Sequence, residues 1–253
     1  MKRTSIAWTD MTWNPVTGCT KCSPGCQNCY AEKMASRLKS MGLKKYGSGF
    51  SVALHPEALS EPSSVKEPKK IFVCSMGDLF HEAVPFWFVD KVMNEIREAD
   101  RHTFIILTKR AERMEEYFAR FAPSNGVPEN AWLGVTVECA SSKKRMDSLR
   151  RIRFAPVRFV SCEPLVEGLG EMDLEGIDWV ICGGESGPAA RAMNPEWARC
   201  LRGQCERKGV PFFFKQWGTW GADGAKRDKK RNGFLLDGKV VQEWPKAASA
   251  GEF

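Results

Sequence analysis

The sequence has no run of about 18 apolar residues, so no membrane-spanning helix is expected. Residues 1–10 carry two basic side chains and no apolar stretch, and no secretory signal is read there. Neither a GxGxxG turn nor a Walker loop occurs, which argues against a dinucleotide fold or a P-loop fold. Histidine is scarce: His55, His81 and His102 share no ligand spacing, and each is read as structural. Disorder is excluded by a composition of 43% hydrophobic and 27% charged residues, ordinary for a globular protein. The expected address is cytoplasmic. In such a reducing compartment, clustered cysteines are metal ligands or catalytic groups more often than disulfides.

What is present begins with 253 residues, enough for one large α/β domain or two small ones with a sizeable core. Lys and Arg number 38 against 31 Asp and Glu, a net +7 that permits a polyanionic partner without demanding one. Ten cysteines are unevenly spread. Four of them, Cys19, Cys22, Cys26 and Cys29, crowd into residues 18–30 (GCTKCSPGCQNCY). The other six, Cys74, Cys139, Cys162, Cys182, Cys200 and Cys205, are scattered and read mostly as small buried hydrophobes.

Along the chain, residues 6–15 form a short strand or extended lead-in ended by Asn14-Pro15. The cysteine loop follows. Residues 30–39 then place Tyr30, Met34 and Leu38 on one helical face. Residues 44–68 are punctuated by Gly and Pro, with a short strand expected at 51–55. A regular rhythm begins at 70–74, a strand, followed by a helix at 85–99 with Pro85 in its first turn. Strands are expected at 102–107, 131–137, 158–161, 178–182 and 211–215, and helices at 111–121, 141–152 and 195–208. Apolar strands alternating with amphipathic helices predict a parallel sheet covered by helices, either a complete or partial β/α barrel or an open doubly wound sheet. From Gly218 the character changes. Residues 226–231 (KRDKKR) are a basic run, usually a solvated loop, and Asp237-Gly238 between apolar runs signals a hairpin. The expected division is therefore a domain over 1–217 and a small appendage over 218–253, frayed from Lys246 onward.

In parallel α/β sheets ligands bind at the C-terminal ends of the strands. The polar residues gather there: Ser75, Gly77 and Asp78 after one strand, Thr108, Lys109 and Arg110 after the next, then Thr136 and Glu138, Glu163, Glu185 with Ser186, and finally Lys215 with Gln216. Strand-end loops are polar in any case. The convergence of so many charged groups on the end that carries the cysteine loop favours a functional rim.

The cysteines allow three chemistries. Cys22-x3-Cys26-x2-Cys29 has the spacing with which radical S-adenosylmethionine enzymes hold a [4Fe–4S] cluster by three thiolates. Cys19-x2-Cys22 and Cys26-x2-Cys29 are also two knuckles of a four-thiolate zinc site, although their three-residue separation is short for one. Four thiolates could equally close a fully ligated electron-transfer cluster. The position of the loop, between a first strand and a first helix of an α/β chain, favours the first.

At the level of motifs, WNPVTGCTK (13–21), SPGC (23–26) and NCYAE (28–32) closely resemble the phage Gp37/Gp68 family, the DUF5131 three-Cys-motif group related to radical S-adenosylmethionine proteins. CSMGDLF (74–80), LTKR (107–110), LGVTVE (133–138), SCEPL (161–165), GGESG (183–187) and FKQWG (214–218) extend the resemblance over nearly the whole chain. The family's spacing matches Cys19, Cys26 and Cys29, and Cys22 stands where a valine is common. The resemblance thus implies Cys19, Cys26 and Cys29 as cluster ligands, with Cys22 as the alternative. It implies a radical-SAM-type barrel and a 5′-deoxyadenosyl radical made from S-adenosylmethionine. Ser75, Gly77 and Asp78 would meet the methionyl amino group, and Thr136 and Glu138 the ribose or carboxylate. Thr108, Lys109, Glu163, Glu185 and Lys215 would face substrate or the methionyl carboxylate. An electron donor such as flavodoxin is implied. The expected substrate is DNA or a modified nucleotide, by analogy with phage thymine hypermodification and spore photoproduct repair. The competing expectation is a zinc-binding nucleic-acid-binding protein without catalysis.

Overall fold

The structure is a computed structural model that describes residues 1–121 and 126–246. Strands β1 (Lys2–Arg3), β2 (Met11–Trp13) and β3 (Val16–Thr17) lead to helix α1 (Tyr30–Ser40), and β4 (Ala53–Leu54) pairs back on β3. Then come β5 (Lys70–Val73), α2 (Phe86–Glu98), β6 (Thr103–Thr108), α3 (Ala111–Glu116), β7 (Ala131–Thr136), α4 (Arg145–Arg151), β8 (Val157–Cys162) and β9 (Trp179–Gly183). Helix α5 (Pro195–Lys208), β10 (Phe212–Gln216), a short α6 (Lys229–Asn232) and the hairpin β11 (Leu235–Leu236) and β12 (Lys239–Val240) complete the chain.

The main sheet runs β1-β2-β5-β6-β7-β8-β9-β10. β2 with β5, β5 with β6, β8 with β9 and β9 with β10 are parallel, and β1 pairs antiparallel with β2 at the edge. The α/β class expected from the alternating pattern therefore stands. Because β1 and β10 are both edges, the sheet is open, and of the two barrel forms expected the partial one is found. Strand burial explains the apolar runs: all six residues of β7 and all five of β9 are buried, as strands covered on both faces require.

Contacts divide the chain into two compact units, one of residues 1–22, 29–134 and 151–156, the other of 23–28, 135–150 and 157–253. In the first, Trp13 is fully buried, donates from its indole to the Ala58 carbonyl at 2.7 Å, and meets Phe104 edge to face. In the second, Trp179 packs on Phe159 and Phe213 and stacks on Trp244 with ring centroids 5.0 Å apart. The C-terminal segment is tied to β10 by the Phe214 amide on the Val241 carbonyl and the Glu243 amide on the Phe212 carbonyl.

Several boundaries differ from the sequence pattern. The lead-in at 6–15 contains only the three-residue β2, because Thr9 turns back, its amide donating to the Ile6 carbonyl and its hydroxyl to the Lys70 carbonyl. The helix at 111–121 relaxes after Glu116 into a π-helical turn over Tyr117–Phe121, and the helix at 141–152 starts as a 3-10 turn before α4. Helix α1 buries Ala31 and Ala35, whereas Tyr30 is 54% and Met34 42% exposed. Small side chains let α1 approach Tyr46 and Met76 closely, so its inward face is not the Tyr30–Met34 face that spacing picked out. The hairpin turn is as expected, with Asp237 at φ 52° and Gly238 at φ 76°. Of the fray expected from Lys246 onward, residues 247–253 lie outside the described residues. Among the described residues no helix is long and apolar enough to cross a membrane.

Candidate functional site

The cysteine loop starts at the C-terminal ends of β2 and β5. Asn14 sits just past β2, and its Oδ1 accepts from the Met76 amide at 2.9 Å and from the Ser75 hydroxyl at 3.2 Å. The Gly18 amide donates to the Met76 carbonyl at 2.8 Å, and the Cys74 amide to Trp13 at 2.7 Å. Gly77 passes so near Gly18 that a Cβ on it would stand 3.0 Å from the Gly18 carbonyl oxygen. The glycine at 77 is thus explained by packing against the loop root. Ser75 serves the same junction and also accepts, through its carbonyl, the hydroxyl of Tyr30.

Beyond Gly18 the pivot of the first unit is Arg110. Its Nε donates to both carboxylate oxygens of Glu82 at 2.9 and 3.0 Å. One terminal nitrogen donates to Asp78 at 3.2 Å and to the Cys19 sulfur at 3.3 Å; the other donates to the Thr20 carbonyl and hydroxyl. Asp78 is buried and also accepts from the Thr108 hydroxyl at 2.7 Å, the Phe80 amide and the Lys109 amide. Burial opposes the Arg110 charge, but Asp78, Cys19 and Glu82 outweigh it and hold the guanidinium above its ordinary value. His81 bonds Thr20 through Nε2 at 2.9 Å, while its Nδ1 accepts from the Ala83 amide, which fixes the proton on Nε2. Burial first, and Arg110 second, push the His81 pKa down, so this histidine is a neutral structural group.

In the second unit the strand-end carboxylates are each matched with a cation. Glu138, fully buried, accepts from Arg145 at 2.7 Å, and the same guanidinium holds the Thr136 carbonyl. Gly25, the central residue of the cysteine loop, packs on this carboxylate: a Cβ at Gly25 would lie 2.9 Å from Glu138 Cγ. Glu185 takes two bonds from the Arg191 side chain, one from the Arg191 amide and one from Asn28. Burial would raise the Glu185 pKa, but the Arg191 and Asn28 donors outweigh it and hold it below the ordinary carboxylate range. Glu163 accepts from the Lys215 ammonium at 2.7 and 2.9 Å and packs beside Gly183; Gln216 donates to Ser186.

The site residues expected from sequence fall into these groups. Asp78 and Thr108 join Cys19 through Arg110, whereas Lys109 contributes its backbone amide. Ser75 and Gly77 shape the loop root. Thr136 and Glu138 share Arg145, Glu163 pairs with Lys215, and Glu185 pairs with Arg191. Sequence reasoning missed Arg110, Arg145, Arg191, Asn14 and Asn28 as organising residues. Arg110 lies beside Lys109 in the LTKR segment, where the sequence pattern does not separate the two.

No disulfide involves any of the ten cysteines. Cys19, Cys26 and Cys29 are partly exposed and Cys22 is exposed; Cys29 caps the N-terminus of α1. Cys19, Cys22 and Cys29 belong to the first unit and Cys26 to the second. Of the scattered cysteines, Cys74, Cys139, Cys162, Cys182 and Cys205 are buried as expected, and Cys200 is exposed. Burial pushes the Cys74 and Cys205 thiols up to about 12 and the Cys162 thiol higher still, which makes them inert packing groups. Among the described residues no three His, Cys, Asp or Glu side chains converge on a point that could hold a single metal ion. The loop thiols fit a thiolate-bound iron–sulfur cluster in kind and in chain spacing.

A family model described as a protein of unknown function, DUF5131, matches residues 3–245. Among curated proteins there is no match. Solved structures of spore photoproduct lyase are similar. One complexed with dinucleoside spore photoproduct has 11% identity and a TM-score of 0.38, covering 76% of this chain and 59% of that one. A mutant with bound AdoMet and dinucleoside spore photoproduct has 11% identity and a TM-score of 0.39, covering 78% and 61%. Another mutant reaches 12% identity and a TM-score of 0.42, covering 82% and 64%. The chain thus spans about six tenths of the length of those structures, and likeness at this level assigns neither substrate nor reaction.

Proposed function

The chain belongs to the DUF5131 family, and from its cysteine loop and strand-end residues we propose that it is a radical S-adenosylmethionine enzyme acting on a nucleic acid or a modified nucleobase. The observation that carries this reading is the cysteine loop itself: four thiols in eleven residues, rooted at the C-terminal ends of parallel strands and held at Cys19 by Arg110. Cys19, Cys26 and Cys29 would hold a [4Fe–4S] cluster, with Cys22 as the alternative to Cys19. Bound there, the cluster would supply one-electron reductive cleavage of S-adenosylmethionine, with a donor such as flavodoxin providing the electron.

The chain's own residues have separable tasks. Arg110 orients the Cys19 thiol and ties it to Asp78 and Glu82, so the loop's first thiol is set by the β5 and β6 ends. Ser75 and the segment to Asp78 would meet the amino group of the cofactor, and Thr136 and Glu138 its ribose or carboxylate. Thr108, Lys109, Glu163, Glu185 and Lys215 would face substrate. Glu163 and Glu185 already pair with Lys215 and Arg191, so a substrate would reach these carboxylates by exchanging bonds with their cations rather than by filling bare charges. Reactions of the isomerase or lyase type on phage DNA thymine are the expected class, in the cytoplasm, where thiols stay reduced.

Anaerobic purification and reconstitution with iron and sulfide tests this. A brown protein with about four irons, lost in Cys19→Ala and kept in Cys22→Ala, is the expected outcome. A reversal of the two variants moves the ligand to Cys22. A colourless protein carrying one zinc that needs all four thiols ends the radical reading and leaves the zinc alternative.

A further inference from the structure

The net charge of the chain is not evenly distributed. From Lys33 to Pro56 the sequence has five cations, Lys33, Arg37, Lys39, Lys44 and Lys45, and no Asp or Glu at all, so this stretch alone holds five of the +7. Most of them are uncompensated. Among the described residues Lys33, Arg37, Lys39 and Lys44 make no ion pair, and Glu32 is taken by Lys21 at 3.1 Å. The basic run at 226–231 is different: Arg227 is paired with Asp223 at 2.6 Å, Asp228 stands inside the run as a helix cap, and Lys226 donates to the Pro188 carbonyl at 2.9 Å.

Helix α1 arranges part of this charge in a pattern. It buries Ala31 and Ala35 and turns Tyr30, Lys33, Met34 and Arg37 outward, with Met41 just past its end. These positions follow the i, i+3, i+4, i+7, i+11 spacing of a single helix face. Tyr30 is 54%, Met34 42% and Met41 63% exposed, a row of large apolar groups bordered by the cations Lys33 and Arg37. An aromatic face flanked by Lys and Arg suits a strand whose phosphates take the cations and whose bases stack on the ring. It also directly adjoins Cys29, the residue that caps α1.

We propose that the α1 face of Tyr30, Lys33, Met34, Arg37 and Met41 docks a nucleic-acid strand, with phosphates on Lys33 and Arg37 and an unpaired base on Tyr30. This rests on the nucleic-acid part of the proposed function. Its test uses protein without added iron, so the docking face and the cluster chemistry fail separately.

Anisotropy of a labelled, mixed-sequence DNA, single-stranded and as duplex, is followed with the full chain across a salt series. The Lys33→Ala/Arg37→Ala double variant is expected to lower the salt slope for the single strand by about 1.4, roughly 0.7 for each cation removed. Tyr30→Ala is expected to weaken single-strand binding roughly tenfold with the slope unchanged, while Tyr30→Phe keeps the affinity. Because Lys33 and Arg37 are exposed, the double variant melts like the wild type. A wild-type slope in that variant, or a slope loss found instead in Lys229→Ala/Lys230→Ala/Arg231→Ala, overturns the assignment. So does displacement of the DNA by poly-L-glutamate at equal charge together with a neutral Tyr30→Ala, which would make the face a dock for an acidic protein.

Discussion

In the first unit one guanidinium serves two carboxylates, a thiol, a carbonyl and a hydroxyl; in the second, Glu138, Glu163 and Glu185 each keep a cation of their own. Both arrangements lie at strand ends and both satisfy buried charge. They differ in what a single change does. A shared hub fixes several chain segments at once, so the loop root, the β5 end and the β6 end stand or fall with Arg110. Separate pairs allow one carboxylate to be disturbed while the others hold.

The hub predicts the largest effect. Arg110→Met strands Asp78 beside the Cys19 thiol and should cost about 3–5 kcal/mol in urea unfolding, the usual loss when one partner of a buried pair is removed. A loss below about 1 kcal/mol would mean that the Thr108, Phe80 and Lys109 donors already satisfy Asp78, and that the hub is no hub. The next effect sharpens the contrast from the other side. In Gly25→Ala the new methyl meets Glu138 Cγ at 2.9 Å, and overpacking of this kind costs about 1–3 kcal/mol. Thermal melts of Gly25→Ala with and without Glu138→Gln should show coupling between the two; additive losses would separate the loop from the carboxylate.

The smallest effect is electrostatic and concerns one pair. The Glu185 carboxyl is held below its ordinary value of about 4.3, so the stability it contributes is present in full above that pH and is lost as pH falls through the lowered value. Arg191→Gln should therefore be less stable than the wild type by about 1 kcal/mol at neutral pH. The gap should close on acidification below about pH 4. A gap that stays constant with pH would assign the role of Arg191 to packing.

Much of this was legible beforehand. Alternation of apolar strands and amphipathic helices located every strand from β5 to β10 and every helix from α1 to α5, because periodicity follows directly from burial. The cysteine loop was plain from spacing. Less legible was which neighbour in a strand-end loop turns inward. LTKR offers Lys109 and Arg110 equally, and only the fold turns Arg110 toward Asp78 and Cys19 while Lys109 gives its amide. Arg145 and Arg191 lie seven and six residues from their carboxylates, distances at which sequence spacing has no fixed meaning outside regular structure. The inward face of α1 was misread for a different reason. Hydrophobicity ranks Tyr30 and Met34 above Ala31 and Ala35, but close approach of a helix selects size as well.

The clasp at Asn14 and Gly18 has a temporal meaning too. The amides of Gly18, Cys74 and Met76 are held by Met76, Trp13 and Asn14 respectively, each bond joining the loop root to the strand beside it. The three bonds share one junction, so deuterium is expected to enter these amides in one shared opening. Cys19, one residue past this junction, would then move with the sheet edge rather than with the exposed part of the loop.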